Sequence, residues 1–216
     1  MIRPYAPGDG ASLSRVCLLT GDSGGDATGK YADDGLLADI FLLPYLELEP
    51  EHAHVLDIGG RAVGYIVATP DSVVFAERYR REWLPRFAAA HPLVDPPTTP
   101  TESLALVGHS TSHLIGPDHE LFPAHLHIDL LPVAQGQGWG RRLMATLLRQ
   151  LADAGVPGVQ LGVGERNTGA QAFYRRLGFA PLPSTPDDGL RLGIRTGAAS
   201  PARRIRRRAS IASVGG

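Results

Sequence analysis

The sequence predicts an α/β fold, and three observations carry that expectation. His125 to Leu131 alternates polar and apolar residues as a half-buried strand does, and after a glycine-rich turn (Pro132 to Gly138) it runs into an amphipathic helix from Trp139 to about Ala154. The order recurs at once: Val156 to Gly164 is a short apolar strand, and a helix from Asn167 to Leu177 places Ala170, Phe173 and Leu177 on one face. Earlier, His54 to Ile58 and Ala62 to Ala68 flank Gly59-Gly60, the turn chemistry a tight hairpin requires. With 43% hydrophobic and 20% charged residues among 216, the composition is that of an ordinary soluble globule with one sizeable core.

Taken in order, Ile2 to Tyr5 reads as a first strand, and Pro7-Gly8-Asp9 turns into a helix from about Gly10 to Leu19, capped by Asp9 or Ser12. Cys17, the single cysteine, falls in the apolar pattern of that helix and reads as a core residue; one cysteine excludes an internal disulfide framework. Thr20 to Lys30 is a polar, glycine-rich loop that no packing need explains, and Gly35 to Glu47 is a helical stretch. After the hairpin, Asp71 caps a long helix, Ser72 to about Ala90, followed by a proline-rich loop (His91 to Pro100) and a short helical segment, Glu102 to Val107. Leu190 to Thr196 reads as the last strand. One domain over residues 1–197 is the simplest division, with 198–216 as a low-complexity basic tail.

The formal net charge is −1, but Arg203, Arg204, Arg206, Arg207 and Arg208 carry five positive charges, which leaves the rest of the chain at about −6. No basic stripe with interleaved aromatics marks the body, so no nucleic-acid partner is expected. Neither a cleavable signal nor an apolar run of membrane-spanning length is present, and the expected setting is cytoplasmic, with no membrane partner.

The glycine-rich turn is built to hold an anion. Pro132 ends the strand's hydrogen-bonding run, while Gly136, Gly138 and Gly140 remove the Cβ atoms that would keep a ligand from the backbone. The first turn of the following helix leaves its amides without partners and carries a partial positive charge, which suits phosphate or pyrophosphate. Arg141 and Arg142 add full charges. A dinucleotide fingerprint would need its third glycine one residue later, and a Walker loop would need Gly-Lys-Ser/Thr.

Gln135-Gly136-Gln137-Gly138-Trp139-Gly140 resembles the Q-x-x-G-x-G pyrophosphate loop of the GCN5-related N-acetyltransferase (GNAT) superfamily. Asn167, Ala170, Phe173, Tyr174, Gly178 and Phe179 resemble its second signature, N-x-x-A-x-x-F-Y-x-x-x-G-F. Further matches, "TGD-x-G-x-DAT", "LPYLELEPE", "GYIVATPD", "EWLP" and "HLHIDLLP", resemble the bacterial stand-alone relatives of the acetyltransferase-like C-terminal domain of O-GlcNAcase. The resemblance implies a central mixed, mostly antiparallel twisted sheet flanked by helices. The helices over about 71–120 then form an insertion before the central strand. It also implies acetyl-coenzyme A as cosubstrate and no metal. The pantetheine arm would pair with backbone near Leu130 and Leu131, and the pyrophosphate would sit against Gln135, Gly136, Gln137, Gly138, Trp139, Gly140 and Arg141. Asn167 would be a backbone or cofactor contact. Tyr174 falls on the tyrosine that sits by the cofactor sulfur and returns a proton to the thiolate.

Period-two geometry sends His125, His127 and Asp129 to one face of their strand. An alkylammonium acceptor has a pKa near 10.4, so a base within reach of it assists attack. Asp129 lies nearest the thioester end and is the first candidate, His127 the second; a self-satisfied buried polar cluster and a His-x-His metal site are the other readings of the same residues. The superfamily places its acceptor beside the loop between the first two helices, which assigns Gly21 to Tyr31 to substrate contact. The expected activity is transfer of acetyl to a primary amine, on a small molecule, a peptide or a protein lysine, by direct attack in a ternary complex. The alternative is a coenzyme-A-binding regulatory or interaction module with little turnover. The acceptor's identity and the oligomeric state are left open.

Overall fold

The computed structural model describes residues 1–183 and 189–197; the expected basic tail, 198–216, lies outside them. Among the described residues, seven strands form one sheet: β1 (Ile2–Pro4), β2 (His54–Ile58), β3 (Arg61–Thr69), β4 (Ala124–Leu130), β5 (Gly158–Gly164), β6 (Ala180–Pro181) and β7 (Gly189–Arg195). Their spatial order is β1-β2-β3-β4-β5-β7-β6, and every pairing is antiparallel except β4 with β5. The sheet is thus mixed and mostly antiparallel, as expected. The hairpin turns at Gly59 (φ +63°) and Gly60 (φ +79°), both in the left-handed region that a two-residue connection of this kind requires.

Helices cover both faces. On one lie α1 (Gly10–Thr20), α2 (Leu36–Phe41), α3 (Leu43–Leu48), α4 (Ser72–Arg78), α5 (Leu84–Ala90) and α6 (Pro100–His109); on the other lie α7 (Trp139–Asp153) and α8 (Thr168–Arg176). The alternation of β3 decides the division, since Tyr65 and Val67 pack with Leu13, Tyr45 and Phe75, whereas Ile66 and Ala68 pack with Leu143, Leu147 and Leu151. None of the described helices is long and apolar enough to cross a membrane.

Several expected elements differ in detail, each for a local reason. The stretch expected as one helix over 35–47 is two, because α2 and α3 meet at Leu42 (φ −131°, ψ −62°) and Pro44 cannot donate to the carbonyl four residues back. The long helix over 72–90 carries a π-helical turn at Tyr79–Trp83, just before Pro85, whose absent N–H would have served Arg81. Asp71 caps α4 as expected, accepting from the Val73 and Val74 amides at 2.9 and 3.1 Å. Asp9 does not cap α1: its carboxylate accepts from the Ala6 amide at 2.9 Å and from both terminal nitrogens of Arg3 at 2.7 Å. Helix α6 starts earlier than expected, because Thr99 and Glu102 satisfy each other's amides in a reciprocal capping box. The two-residue strand β6 has no counterpart in the sequence reading.

Candidate active site

Strand β4 pairs with β3 from Thr69↔His125 to Gly64↔Leu130, but with β5 only at Ala124↔Val159 and His125↔Gln160. Beyond His125 the two central strands diverge and leave a notch. The Leu131 amide donates to the Val63 carbonyl at 2.9 Å, so the odd-numbered backbone groups here face β3 and those of Ile128 and Leu130 face the notch. Of the two positions expected to meet a pantetheine arm, Leu130 therefore offers its N–H, whereas that of Leu131 is spent within the sheet. The Gln135 Nε2 donates to the Leu130 carbonyl at 2.9 Å and ties the start of the turn to the end of the strand.

The three glycines differ in what surrounds them. Gly136 (φ +72°) and Gly138 (φ +81°) hold left-handed backbone, and a Cβ on either would meet nothing within 4 Å, so open space lies in front of them. Gly140 also lines the cleft, and it lets α7 approach α8 closely, since its Cβ would stand 3.1 Å from the Phe173 ring. Arg142 turns away and lays its guanidinium 4.7 Å over the Trp139 ring, while Gln137 folds back to donate to the Val133 carbonyl at 2.6 Å. Arg141 lines the open space in front of the turn.

That space is a cleft of about 660 Å³. Its walls are Ile128, Asp129 and Leu130 of β4, then Gln135, Gly136, Gly138, Trp139, Gly140 and Arg141. Arg166, Asn167, Phe173 and Tyr174 close the far side, and Thr20, Ser23 and Gly24 enter from the end of α1. Asn167 is placed by capping α8, its Oδ1 accepting from the Ala170 amide at 3.0 Å. The loop after α1 is only partly free for substrate. Ala27 is buried and a Cβ at Gly21 would meet Leu37 at 2.4 Å, so packing explains these two positions in a stretch expected to have no such role. Its acidic residues are also engaged locally: Asp22 with Lys30, Asp26 with Thr28, Asp33 with the Gly35 amide and Asp34 with that of Gly29.

His125, His127 and Asp129 do share one face. Tyr65, directly across the ladder from Asp129, donates its hydroxyl to Asp129 Oδ2 at 2.5 Å. Burial raises the Asp129 carboxyl above the usual range, and the hydrogen bonds from Tyr65 and Thr20 pull it partly back. Behind Tyr65 lies Cys17, buried as expected, its thiol pushed up to about 12 by burial and then by the charge of Asp129. His125 is held between Ser72 Oγ and Tyr45 Oη, each at 2.7 Å, and is fully satisfied. His127 Nε2 lies 3.2 Å from the same tyrosine oxygen; burial, then the neighbouring His113, lower its pKa to about 4. Tyr174 is raised by burial and then by Asp129, so its phenol keeps its proton. Among the described residues, side-chain ligand atoms converge as a metal site would need only at Glu49, Glu51 and His52, in the turn before β2 and not on β4.

Tyr45, Tyr65, Thr20 and Arg166 escaped the sequence reading. The tyrosines sit in apolar patterns that look like core, and only the register of β3 against β4 and the packing of α3 reveal their hydroxyls' partners.

The model of the acetyltransferase (GNAT) family matches residues 25–179. The crystal structure of SsHAT is 42% identical, covers 91% of this chain and 98% of its own, and superposes with a TM-score of 0.88. The structure of yncA from Salmonella typhimurium with its cofactor acetyl-CoA shares the fold at 13% identity, with 93% and 95% of the two chains covered and a TM-score of 0.52. Protein O-GlcNAcase of Rattus norvegicus is 26% identical over 199 residues, 89% of this chain, and the chain spans 22% of that protein's length. With the split central strands, the glycine turn at their mouth and a family match over most of its length, the chain belongs to the acetyltransferase (GNAT) family.

Proposed function

We propose that this N-acetyltransferase moves acetyl from acetyl-coenzyme A to a primary amine by direct attack while both are bound. The observation that carries the reading is the coincidence, in one cleft, of a strand edge at Ile128 and Leu130 that β5 does not pair, an anion cradle at residues 135–141, and the ionisable pair Asp129 and Tyr174. The cradle fits a pyrophosphate, since the space before Gly136 and Gly138 is empty and Arg141 lines it. Bound acetyl-coenzyme A supplies an activated thioester. The Leu130 N–H would donate to its carbonyl oxygen, and the carboxylate form of Asp129, which accepts from the Tyr65 hydroxyl, would take the proton lost by the attacking nitrogen. Tyr174 gives its phenolic proton to the departing sulfur, and the products are the amide and the free thiol.

The test has two stages. Calorimetric titration with acetyl-coenzyme A and with coenzyme A is expected to give micromolar binding of the acetylated form, and thiol release is then followed across a panel of primary amines. Binding without release for any amine would shift the reading to a coenzyme-A-binding regulatory module. No binding of either form would overturn it.

A further inference from the structure

The polar face of β4 has a proton order that can be counted. Ser72 Oγ lies 2.6 Å from the Pro123 carbonyl and 2.7 Å from His125 Nδ1. A carbonyl only accepts, so the single serine proton goes to Pro123 and His125 Nδ1 must be the donor to Ser72. His125 is enclosed and neutral, which leaves Nε2 as a lone pair, and the Tyr45 hydroxyl 2.7 Å away must donate to it. The one proton of Tyr45 is then committed. Its 3.2 Å contact with His127 Nε2 can be a hydrogen bond only if that nitrogen carries hydrogen.

We propose that this chain, Pro123–Ser72–His125–Tyr45, locks His127 as the Nε2–H tautomer, so that its Nδ1 is a lone pair offered to the N–H of the incoming amine. The inference rests on the amine approaching along this face, as proposed above. His127 is half-buried, its Nδ1 takes no hydrogen bond among the described residues, and it stands two residues from Asp129, about 7 Å along the same face. An imidazole kept neutral here orients an N–H without competing with Asp129 for the proton. His127 is on this account a positioning residue for the acceptor, and Tyr45 is the residue that sets its tautomer. A reversed chain would need His125 to gain a proton inside the cluster, beside Phe75 and Tyr45 at ring distances of 5.6 and 5.5 Å.

The test uses the full chain labelled with nitrogen-15 at histidine, with the His127 pair identified by its loss in His127→Gln. The wild-type spectrum is expected to show an unprotonated Nδ1 and a protonated Nε2, and Tyr45→Phe is expected to collapse the distinction into averaged shifts. A protonated Nδ1 in the wild type, or an unchanged pattern in Tyr45→Phe, would overturn the assignment. Should Tyr45→Phe fail to fold, the wild-type spectrum decides alone. The acceptor role is read separately from thiol release: His127→Asn, whose amide oxygen reaches the Nδ1 position, is expected to stay within about threefold of wild type in KM for the amine, and His127→Gln to raise it at least tenfold. Equal losses in the two variants would refute the acceptor role while leaving the tautomer standing. A wild type inactive on every amine would instead refute the proposed function.

Discussion

Replacing Tyr65 by phenylalanine removes one hydroxyl from a fully buried ring and leaves its packing in place. The lost bond is the 2.5 Å contact to Asp129, whose carboxyl burial already pushes toward the neutral form. A hydrogen bond to a charged group contributes about 1.5–3 kcal/mol, so the ionised state of Asp129 loses roughly that much while the neutral state loses little. Its pKa therefore rises further, and the acid limb of the kcat/KM profile moves to higher pH, with the alkaline plateau retained. Acetyl-coenzyme A affinity is expected to stay within about twofold, since Tyr65 does not line the cleft. The assay is thiol release from pH 5 to 9 on both proteins, with calorimetry at one pH. An acid limb that stays in place or moves to lower pH would refute the argument that Tyr65 keeps Asp129 ionised, and a large loss of cofactor affinity would show that the ring had moved.

Further outcomes follow from the same geometry. Because folding raises the carboxyl of Asp129, the contribution of that group to stability is present below its unfolded pKa and is lost as pH rises through the folded value. Asp129→Asn is therefore expected to raise the melting temperature at pH 7.5 while lowering kcat, and a lower melting temperature in the variant would contradict the burial cost. Tyr174→Phe should lower kcat about 10²–10⁴-fold with an unchanged Kd for acetyl-coenzyme A; a kcat within threefold of wild type would remove Tyr174 as the acid. Gly138→Ala forces a side chain onto a φ of +81° and should cost about 1–2 kcal/mol of stability and weaken acetyl-coenzyme A binding, both measurable by thermal shift with and without ligand. Asp71→Ala unpairs two amides of α4 and should cost about 1 kcal/mol in urea denaturation without changing KM for acetyl-coenzyme A.

What the sequence made legible follows the range of the interactions. The strand, turn and helix over residues 124–153 rest on periodicity and glycine placement within about thirty residues, and they lie where the pattern puts them. The breaks at Leu42 and at Tyr79–Trp83 were also local, signalled by Pro44 and Pro85, and an apolar pattern that ran through both prolines hid them. Tyr65 beside Asp129 is different in kind. The partners are 64 residues apart, and only the ladder register Tyr65↔Asp129 joins them. The same holds for Tyr45, which reaches across 80 and 82 positions to two histidines. Periodicity shows which face a residue takes, whereas its hydrogen-bond partner depends on how the faces are brought together.

The divergence of β4 from β5 has a mechanical consequence. Two residue pairs join the ladder β1–β4 to the ladder β5–β7–β6, so the two halves of the sheet are tied by a short spine near His125 and carry no ladder bonds between them at Ile128 and Leu130. An extended amide-bearing arm lying in that gap would act as an eighth strand and stitch the two leaves together. At a hundredfold excess over Kd such a ligand would add about 2.7 kcal/mol to global stability, and its pairing would fall on the one stretch of β4 that the sheet itself leaves open.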